Sequence, residues 1–532
     1  MADNAADPLP LFKFGAGADP LVVVAGGLIF DTGEAERTFL YRCQDRFLSY
    51  TSILGWQTVF LAMDEAHVSR YLTLIDDLRD RFDRINAAAG IFGSRTIKEP
   101  LFVCLDIDQM TLRPSARLIQ RLQDPSVMAA IGAGVAFNQM SPLNADFVAR
   151  FAELLAAHGV HPDWSPDRAR AAAEIALTFQ DKAFFSGFSD DILRGSTCHV
   201  PTALISETDF AGLTNWPDFA AAFHDATGAT LDGAAFVKTN RNTSGNVSAK
   251  VTEANFENDF RALQAQLATE RSCSSDAISA MARAVAQEVA DNPALRDAGI
   301  TMDQLRAMMR EQAQKRHNLT LLIQPDLSGA IAGAGPAGFG ISYVLDGHQN
   351  TRFAVNAQLY RDPGRTHFVG GYLCPTMAAE IGDAVLRDCD AIADAAAQTG
   401  YRGPFNIDLL RDKRGALRFV NDCNPRLTGI FPTLAVQRAL DGSHKNAPVL
   451  SNGYRGECRL PDLEGTLARL DAAGHLLTPE RDRGVVLLPN LSSDAGYDLH
   501  LVGYSLPDAL ALFQPGSTVM GACGATAYPP VM

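Results

Sequence analysis

Apolar positions along this chain fall into two textures. In the first third, continuous runs of buried-strand type ("LVVVAGGLIF" from residue 21, "QTVFLAM" from 57, "LFVCLDI" from 101) are separated by Leu- and Arg-rich stretches of helical period. Buried strands alternating with helices predict a parallel sheet. "NADFVARFAELLAAHG" and "PDRARAAAEIALTFQDKAFF" read as helices leading into a second unit near residue 176, where shorter strands and Gly/Asn/Thr loops take over. Phe256, Phe260 and Leu263 at i, i+4, i+7, then Ile278, Met281, Val285 and Val289, make successive amphipathic stripes. Thr301 with Gln304 reads as a capping box for a helix carrying Leu305, Met308 and Met309, whose methionines read as core filler. Strands return at "LTLLIQP", "ISYVLDG" and "RFAVNAQLY", with a helix near 376–399. A last unit holds "GVVLLPN", "DLHLVGYS" and the helical "LPDALALFQ". The expected class is α/β and α+β multidomain, with units at 1–175, 176–318 (helical insert 254–316), 319–438 and 439–532.

Composition narrows the functions open to such a chain. Its 532 residues suit two to four domains, and 47% hydrophobic against 20% charged residues supply ample core. A net charge of −15 argues against nucleic-acid or anionic-membrane binding, both of which need clustered positive charge. An anionic ligand would be held by a few local cations and N–H groups. The nine cysteines are scattered without C-x-x-C, which fits small buried hydrophobes in a reducing compartment better than disulfides or zinc. "MADNAADPLP" is acidic and has no apolar core, so no signal peptide is expected and the protein reads as cytoplasmic.

One string invites a redox reading. Gly333-Ala-Gly335-Pro-Ala-Gly338 is a literal G-x-G-x-x-G, which in a dinucleotide-binding turn follows a strand and opens a helix. Here Asp326 and Gly329 interrupt the lead-in, and "FGISYVLDG" after it has the content of a strand. Without a helix N-terminus to receive a pyrophosphate, the motif fails on context.

Four other segments carry chemistry. "FNIDLL" and "LRFVNDCNPR" (within 403–429) read as a hairpin in which Asp408 faces Asp422 and Asn424, with Arg426 on the same side. Two carboxylates and an amide oxygen suit Mg²⁺, and Arg426 suits an anionic reactant; a hairpin of solvated charges is the plain alternative. "AAFVKTNRNTSGNVSAKV" delivers Lys238 on a strand before a loop with Ser244 and Gly245, a phosphate cradle or merely an exposed lysine beside a turn. "FQDKAFF" bears Asp181-Lys182 on a helix ahead of "HVP". "LTLLIQPDL" ends a strand in Gln324, Pro325, Asp326 and Leu327, whose edge groups could pair with a flat heterocycle. His158-x-x-His161 reads as a helix end and Asp106-x-Asp108 as a turn cap more readily than as metal sites. Arg361 and Arg365, in "LYRDPGRTHF", read equally as a basic turn or as cations facing a phosphate.

In this order the four segments resemble the ATP-grasp superfamily, over roughly residues 176–435. The resemblance implies an ATP-grasp core of two α+β lobes. Lys182 and Lys238 would lie on the nucleotide phosphates under the Ser244–Gly245 loop, with Gln324, the Pro325 carbonyl and the Leu327 amide on adenine. Asp408, Asp422 and Asn424 would bind Mg²⁺, and Arg426 the acceptor carboxylate or acyl phosphate. Asp422 stands where the family more often has Glu, and the helical insert lengthens the gap between the Lys238 loop and the hinge. The flanks look like the pheganomycin-type peptide ligases, with a pre-ATP-grasp N-terminal domain and a small C-terminal one. The implied activity is ATP-dependent joining of a carboxylate (an amino acid or peptide) to an amine through an acyl phosphate. The alternatives are another ATP-grasp activity (carboxylase, thiol ligase, phosphotransferase) or a non-catalytic nucleotide binder. Partners would be small molecules rather than nucleic acid or membrane, with a homodimer left open.

Overall fold

The computed structural model describes residues 21–25, 58–62, 65–97, 101–104, 135–139, 166–240, 248–268, 320–327, 336–345, 350–360, 368–426, 428–451, 458–460, 462–490, 496–514 and 516–523, with isolated residues between 120 and 157. Three sheets organise them, and the class read from the sequence, mixed α/β and α+β in several units, is the class observed.

The first sheet is parallel, in the order β3-β2-β1-β4, from β1 (Leu21–Ala25), β2 (Thr58–Ala62), β3 (Leu101–Cys104) and β4 (Val135–Gln139). The helix Glu65–Ala89 joins β2 to β3. Its buried residues Ile75, Leu78, Phe82, Ile85 and Ala89 recur at the 3–4 spacing of one helical face. Arg81, 5% exposed, fixes that helix to the C-terminal part of the chain: Nη1 donates to the Gly496 carbonyl (3.2 Å), and the guanidinium lies 5.3 Å from the Tyr497 ring centroid.

The second sheet is antiparallel, in the order β5-β8-β6-β7, from β5 (Ala203–Ser206), β6 (Ala234–Thr239), β7 (Ser248–Thr252) and β8 (Thr320–Pro325). Strict alternation on β6 buries Ala235, Val237 and Thr239 and turns Phe236 and Lys238 to the other face. Phe256, Phe260 and Leu263 pack with Phe210, Trp216, Phe219 and Val237 in one apolar cluster, as their helical spacing predicts for 256–268. The rest of the insert (269–316), including the Thr301–Gln304 box, lies outside the described residues, as do His158, His161, Asp106 and Asp108.

The third sheet has nine strands, ordered β13-β12-β9-β10-β11-β14-β17-β15 with β16 also on β17. These are β9 (Gly338–Leu345), β10 (Asn350–Tyr360), β11 (Phe368–Leu373), β12 (Gly403–Arg411), β13 (Leu417–Asn424), β14 (Val449–Ser451), β15 (Cys458–Arg459), β16 (Gly484–Asn490) and β17 (Gly496–Val502). Strands on both sides of residue 439 therefore share one sheet. Phe179, Phe185, Tyr401, Phe405 and Phe419 fill one side of it, with edge-to-face pairs such as Phe179–Phe405 at 5.6 Å. The helix Asp383–Gln398 adds Leu386, Cys389, Ile392 and Ala396 to that core.

Two local expectations change. The helix predicted through "QDK" is two helices, Pro166–Gln180 and Lys182–Ile192, because Asp181 turns out of helical geometry and caps the second: its Oδ1 accepts from the Ala183 (2.9 Å) and Phe184 (3.3 Å) amides. The helix predicted near 376–399 breaks at Gly382, whose φ of +84° a residue with a Cβ rarely adopts. Among the described residues, no helix is long and apolar enough to cross a membrane.

Candidate active site

The hairpin of β12 and β13 is irregular where its chemistry sits. Asn406 pairs with Asn424 and Ile407 with Cys423, yet Leu409 pairs with Phe419. Asp408 alone therefore faces the three residues Val420 to Asp422, a bulge that bends the strand and releases main-chain groups from the ladder. Across this bulge Asp408 meets Asn424 diagonally: Asn424 Nδ2 donates to Asp408 Oδ2 at 3.1 Å.

The second oxygen of Asp408 accepts from Gln358 Nε2 (2.7 Å) and Asn406 Nδ2 (2.8 Å), and Gln358 Oε1 accepts from the Tyr360 hydroxyl (2.6 Å). This polar lane needs clearance over β9, and glycines supply it. A Cβ on Gly338 would stand 2.7 Å from the Tyr360 hydroxyl and 3.1 Å from Gln358 Oε1. One on Gly340, the register partner of Asp408, would stand 2.8 Å from Asn356 Oδ1. The last glycine of the G-x-G-x-x-G string thus opens a strand and makes room for an amide; Gly333 and Gly335 lie outside the described residues.

Burial and then the neighbouring Asp422 push the Asp408 carboxyl up to about 6, against the pull of its amide donors and of Arg426. Asp422 Oδ1 pairs with Lys182 Nζ at 3.2 Å. Lys238 Nζ donates to the Val420 carbonyl at 3.1 Å and sits 5.9 Å from the Phe236 ring centroid. Desolvation lowers the Lys238 ammonium below the usual lysine range, opposed by Asp422 and reinforced by Lys182. Arg426 Nη2 donates to Asn424 Oδ1 (2.8 Å), while its Nε is buried without a hydrogen-bond partner.

Six sequence-predicted residues thus converge: Lys182, Lys238, Asp408, Asp422, Asn424 and Arg426. The lysines come from the helix Lys182–Ile192 and from β6, and Asn240 holds those elements together. Its Nδ2 donates to Asp181 Oδ2 (2.9 Å), its carbonyl accepts from the Lys182 amide (2.8 Å), and its amide donates to the Thr320 carbonyl (3.0 Å). Gln324 is 3% exposed on β8 and donates to Thr202 Oγ1 (2.9 Å); Pro325 and Leu327 are half-buried at the end of that strand. Ser244, Gly245, Arg361 and Arg365 lie outside the described residues. Gln358, Asn406 and Tyr360 escaped the sequence reading. Alternating polar residues in an otherwise apolar strand, Asn356, Gln358 and Tyr360, were the available signal.

Three cations and two carboxylates meet here, so the site can take up negative charge. Among the described residues no group of three or more Asp, Glu, His or Cys gathers for a metal. Two carboxylates backed by amides nevertheless fit a hard divalent cation that keeps waters and shares phosphate oxygens, as Mg²⁺ does.

No family model matches the chain, and no curated protein matches it. Solved structures with a similar course include N5-carboxyaminoimidazole synthetase from Staphylococcus aureus complexed with ADP (11% identity, TM-score 0.42, 97% of this chain and 100% of that one). Two others are the L-amino acid ligase from Bacillus licheniformis (11%, 0.41, 94% and 97%) and a biotin carboxylase–ATP complex from Campylobacter jejuni (12%, 0.40, 92% and 89%). Likeness at this level says nothing of chemistry, which rests on the side chains.

Proposed function

We propose that the chain is an ATP-dependent ligase of the ATP-grasp type. Within that class it is a carboxylate–amine ligase that works through an acyl phosphate, with a pre-ATP-grasp N-terminal domain and substrates like those of the pheganomycin-type peptide ligases. The observation that carries this reading is the meeting of Lys182 and Lys238 with Asp408 and Asp422, through Lys182–Asp422 at 3.2 Å and Lys238–Val420 at 3.1 Å.

Lys182 and Lys238 bind the nucleotide phosphates. Lys182 exchanges Asp422 for a phosphate oxygen, and Lys238, held by Val420, adds a second positive charge beside it. Asp408, Asp422 and Asn424 would hold Mg²⁺, which when bound neutralises phosphate charge. Asn424 would turn its amide to offer the oxygen now facing Arg426. Arg426 orients the carboxylate, whose oxygen attacks the γ-phosphorus as the bond to the ADP oxygen breaks. The amine nitrogen then attacks the acyl carbon, phosphate leaves, and the nitrogen loses a proton. Catalysis on this plan is positioning and charge neutralisation. Gln324, Pro325 and Leu327 would border adenine, and the loop with Ser244 and Gly245 would close over the phosphates. Arg361 and Arg365 would face the γ-phosphate, in a cytoplasmic enzyme acting on small molecules.

The test is ADP release with a panel of carboxylates and hydroxylamine as the amine. The expected products are ADP and a hydroxamate, and alanine at Asp422 should abolish both in a folded protein. Turnover retained by Asp422→Ala overturns the metal assignment, and ADP release that needs bicarbonate instead of a carboxylate overturns the ligase reading.

A further inference from the structure

Thr202 is the last residue before β5, where the chain passes from one apolar cluster to the next. Cys198 belongs to the core of the nine-stranded sheet and Ala203 to that of the four-stranded antiparallel sheet. Ala203 pairs with Ile323, so the same antiparallel register brings Thr202 opposite Gln324. Both are buried, at 9% and 3% exposure. Phe236 pairs with Gln324 and Lys238 with Leu322, so strand parity puts Gln324 on the face of the sheet that carries Phe236 and Lys238.

The amide of Gln324 can meet Thr202 in one sense only. The Thr202 hydroxyl has a single proton, which goes to the Val200 carbonyl at 3.0 Å, an oxygen that only accepts. Thr202 Oγ1 is left to accept, and it does so from Gln324 Nε2 at 2.9 Å. An amide turned this way presents its oxygen on the other side, and among the described residues that oxygen takes no hydrogen bond. An amide of free orientation would offer a donor or an acceptor equally well. This one offers an acceptor, in surroundings where a mispaired polar group is costly.

We infer that Thr202 is a positioning residue that sets base selectivity: it turns the Gln324 amide so that Oε1 faces position 6 of a bound purine, favouring a 6-amino base over a 6-oxo one. A 6-amino group donates to that oxygen, whereas a 6-oxo group sets two acceptors against each other. The inference rests on the nucleotide site proposed above and adds to it the residue that selects the base.

The experiment titrates Mg-ATP and Mg-ITP, whose bases differ in the 6-amino and 6-oxo groups, into the full chain by calorimetry and reads the ratio of their Kd values. No carboxylate is needed. The parent should prefer ATP by about tenfold or more, the scale of one mispaired buried hydrogen-bonding group. Thr202→Val keeps the shape but frees the amide to turn, and should lower that preference about fivefold or more. Thr202→Ser keeps the hydroxyl and should retain it. Gln324→Met should lower the preference as Thr202→Val does, and the two together should lower it no further, since Thr202 acts through that amide. A parent that binds ATP and ITP alike overturns the role of Thr202 while the nucleotide site stands. So does a ratio unmoved by Thr202→Val or by Gln324→Met, or moved as far by Thr202→Ser. A parent that binds neither nucleotide overturns the site as well.

Discussion

Lys238 on β6 donates its ammonium to the main-chain carbonyl of Val420 on β13, 3.1 Å away. That acceptor exists because the bulge opposite Asp408 takes Val420 out of the ladder, so an irregularity in one sheet anchors a cation of another. Burying this ammonium costs stability in the free protein. Burial lowers the Lys238 ammonium, so the charged form is less stable folded than unfolded, and stability from this group rises as pH climbs toward the ordinary lysine value.

Lys238→Met should therefore leave the free protein as stable or about 1–2 kcal/mol more stable at neutral pH, as when a buried charge is replaced by an apolar chain of similar length. It should also erase the rise in melting temperature expected of the parent with ATP. Thermal unfolding with and without the nucleotide reads both. An undiminished ATP shift in the variant removes Lys238 from the phosphate site.

Asp408 sets a pH window. Its folded value near 6 lies above the ordinary aspartate value of 3.8, so between about pH 4 and 6 the folded protein holds more protons than the unfolded one. Stability from this group is lost as pH rises through that window, by at most about 3 kcal/mol, and less where solvent reaches the half-buried carboxyl. A divalent cation competes with the same proton. Millimolar MgCl₂ should raise the melting temperature clearly at pH 7.5 and hardly at all at pH 5. Equal shifts at the two pH values would place any bound cation away from Asp408.

Gln358 and Gly338 position Asp408 without being ligands in the proposed site. Gln358→Leu removes a 2.7 Å donor and should weaken the Mg²⁺ dependence of ADP release about 10–100-fold, the range for partners that orient a ligand. Gly338→Ala drives a methyl to within 2.7 Å of the Tyr360 hydroxyl, so it should displace Gln358 and cost about 1–3 kcal/mol of stability. A Mg²⁺ titration of ADP release separates the outcomes. If only kcat falls and the Mg²⁺ midpoint stays put, the Tyr360–Gln358–Asp408 chain does not act through the metal.

Elements with strong periodicity were legible before any coordinates: the alternating strands, the Phe256–Phe260–Leu263 stripe and the hairpin carrying Asp408 and Asp422. Side chains set by a local rule were also readable, because strand parity alone puts Asp422 and Asn424 on one face. What stayed hidden depends on three dimensions. No local pattern says that Val420 leaves its ladder, that residues 240 and 181 meet, or that Gly338 is needed for clearance and not for a turn. The capping role of Asp181 was written in the sequence but masked by an uninterrupted helical period on both sides.

Asn240 gives the sharpest test of how the two lysines are coupled. Its side chain and main chain together bridge Asp181, Lys182 and Thr320, so one residue sets the helix start that carries Lys182 against the strand that carries Lys238. Asn240 is 3% exposed, and Asn240→Ala leaves its neighbours short of two hydrogen bonds, at about 1–3 kcal/mol of stability. Asn240→Asp keeps the shape but sets a second carboxylate against Asp181, so it should be the worse change at neutral pH. In a double-mutant cycle on the KM for ATP, Asn240→Ala and Lys182→Ala should be non-additive by about 1 kcal/mol or more, as for residues in one hydrogen-bond network. Strict additivity would mean that Asn240 only stabilises the fold and leaves the placement of Lys182 to Asp422.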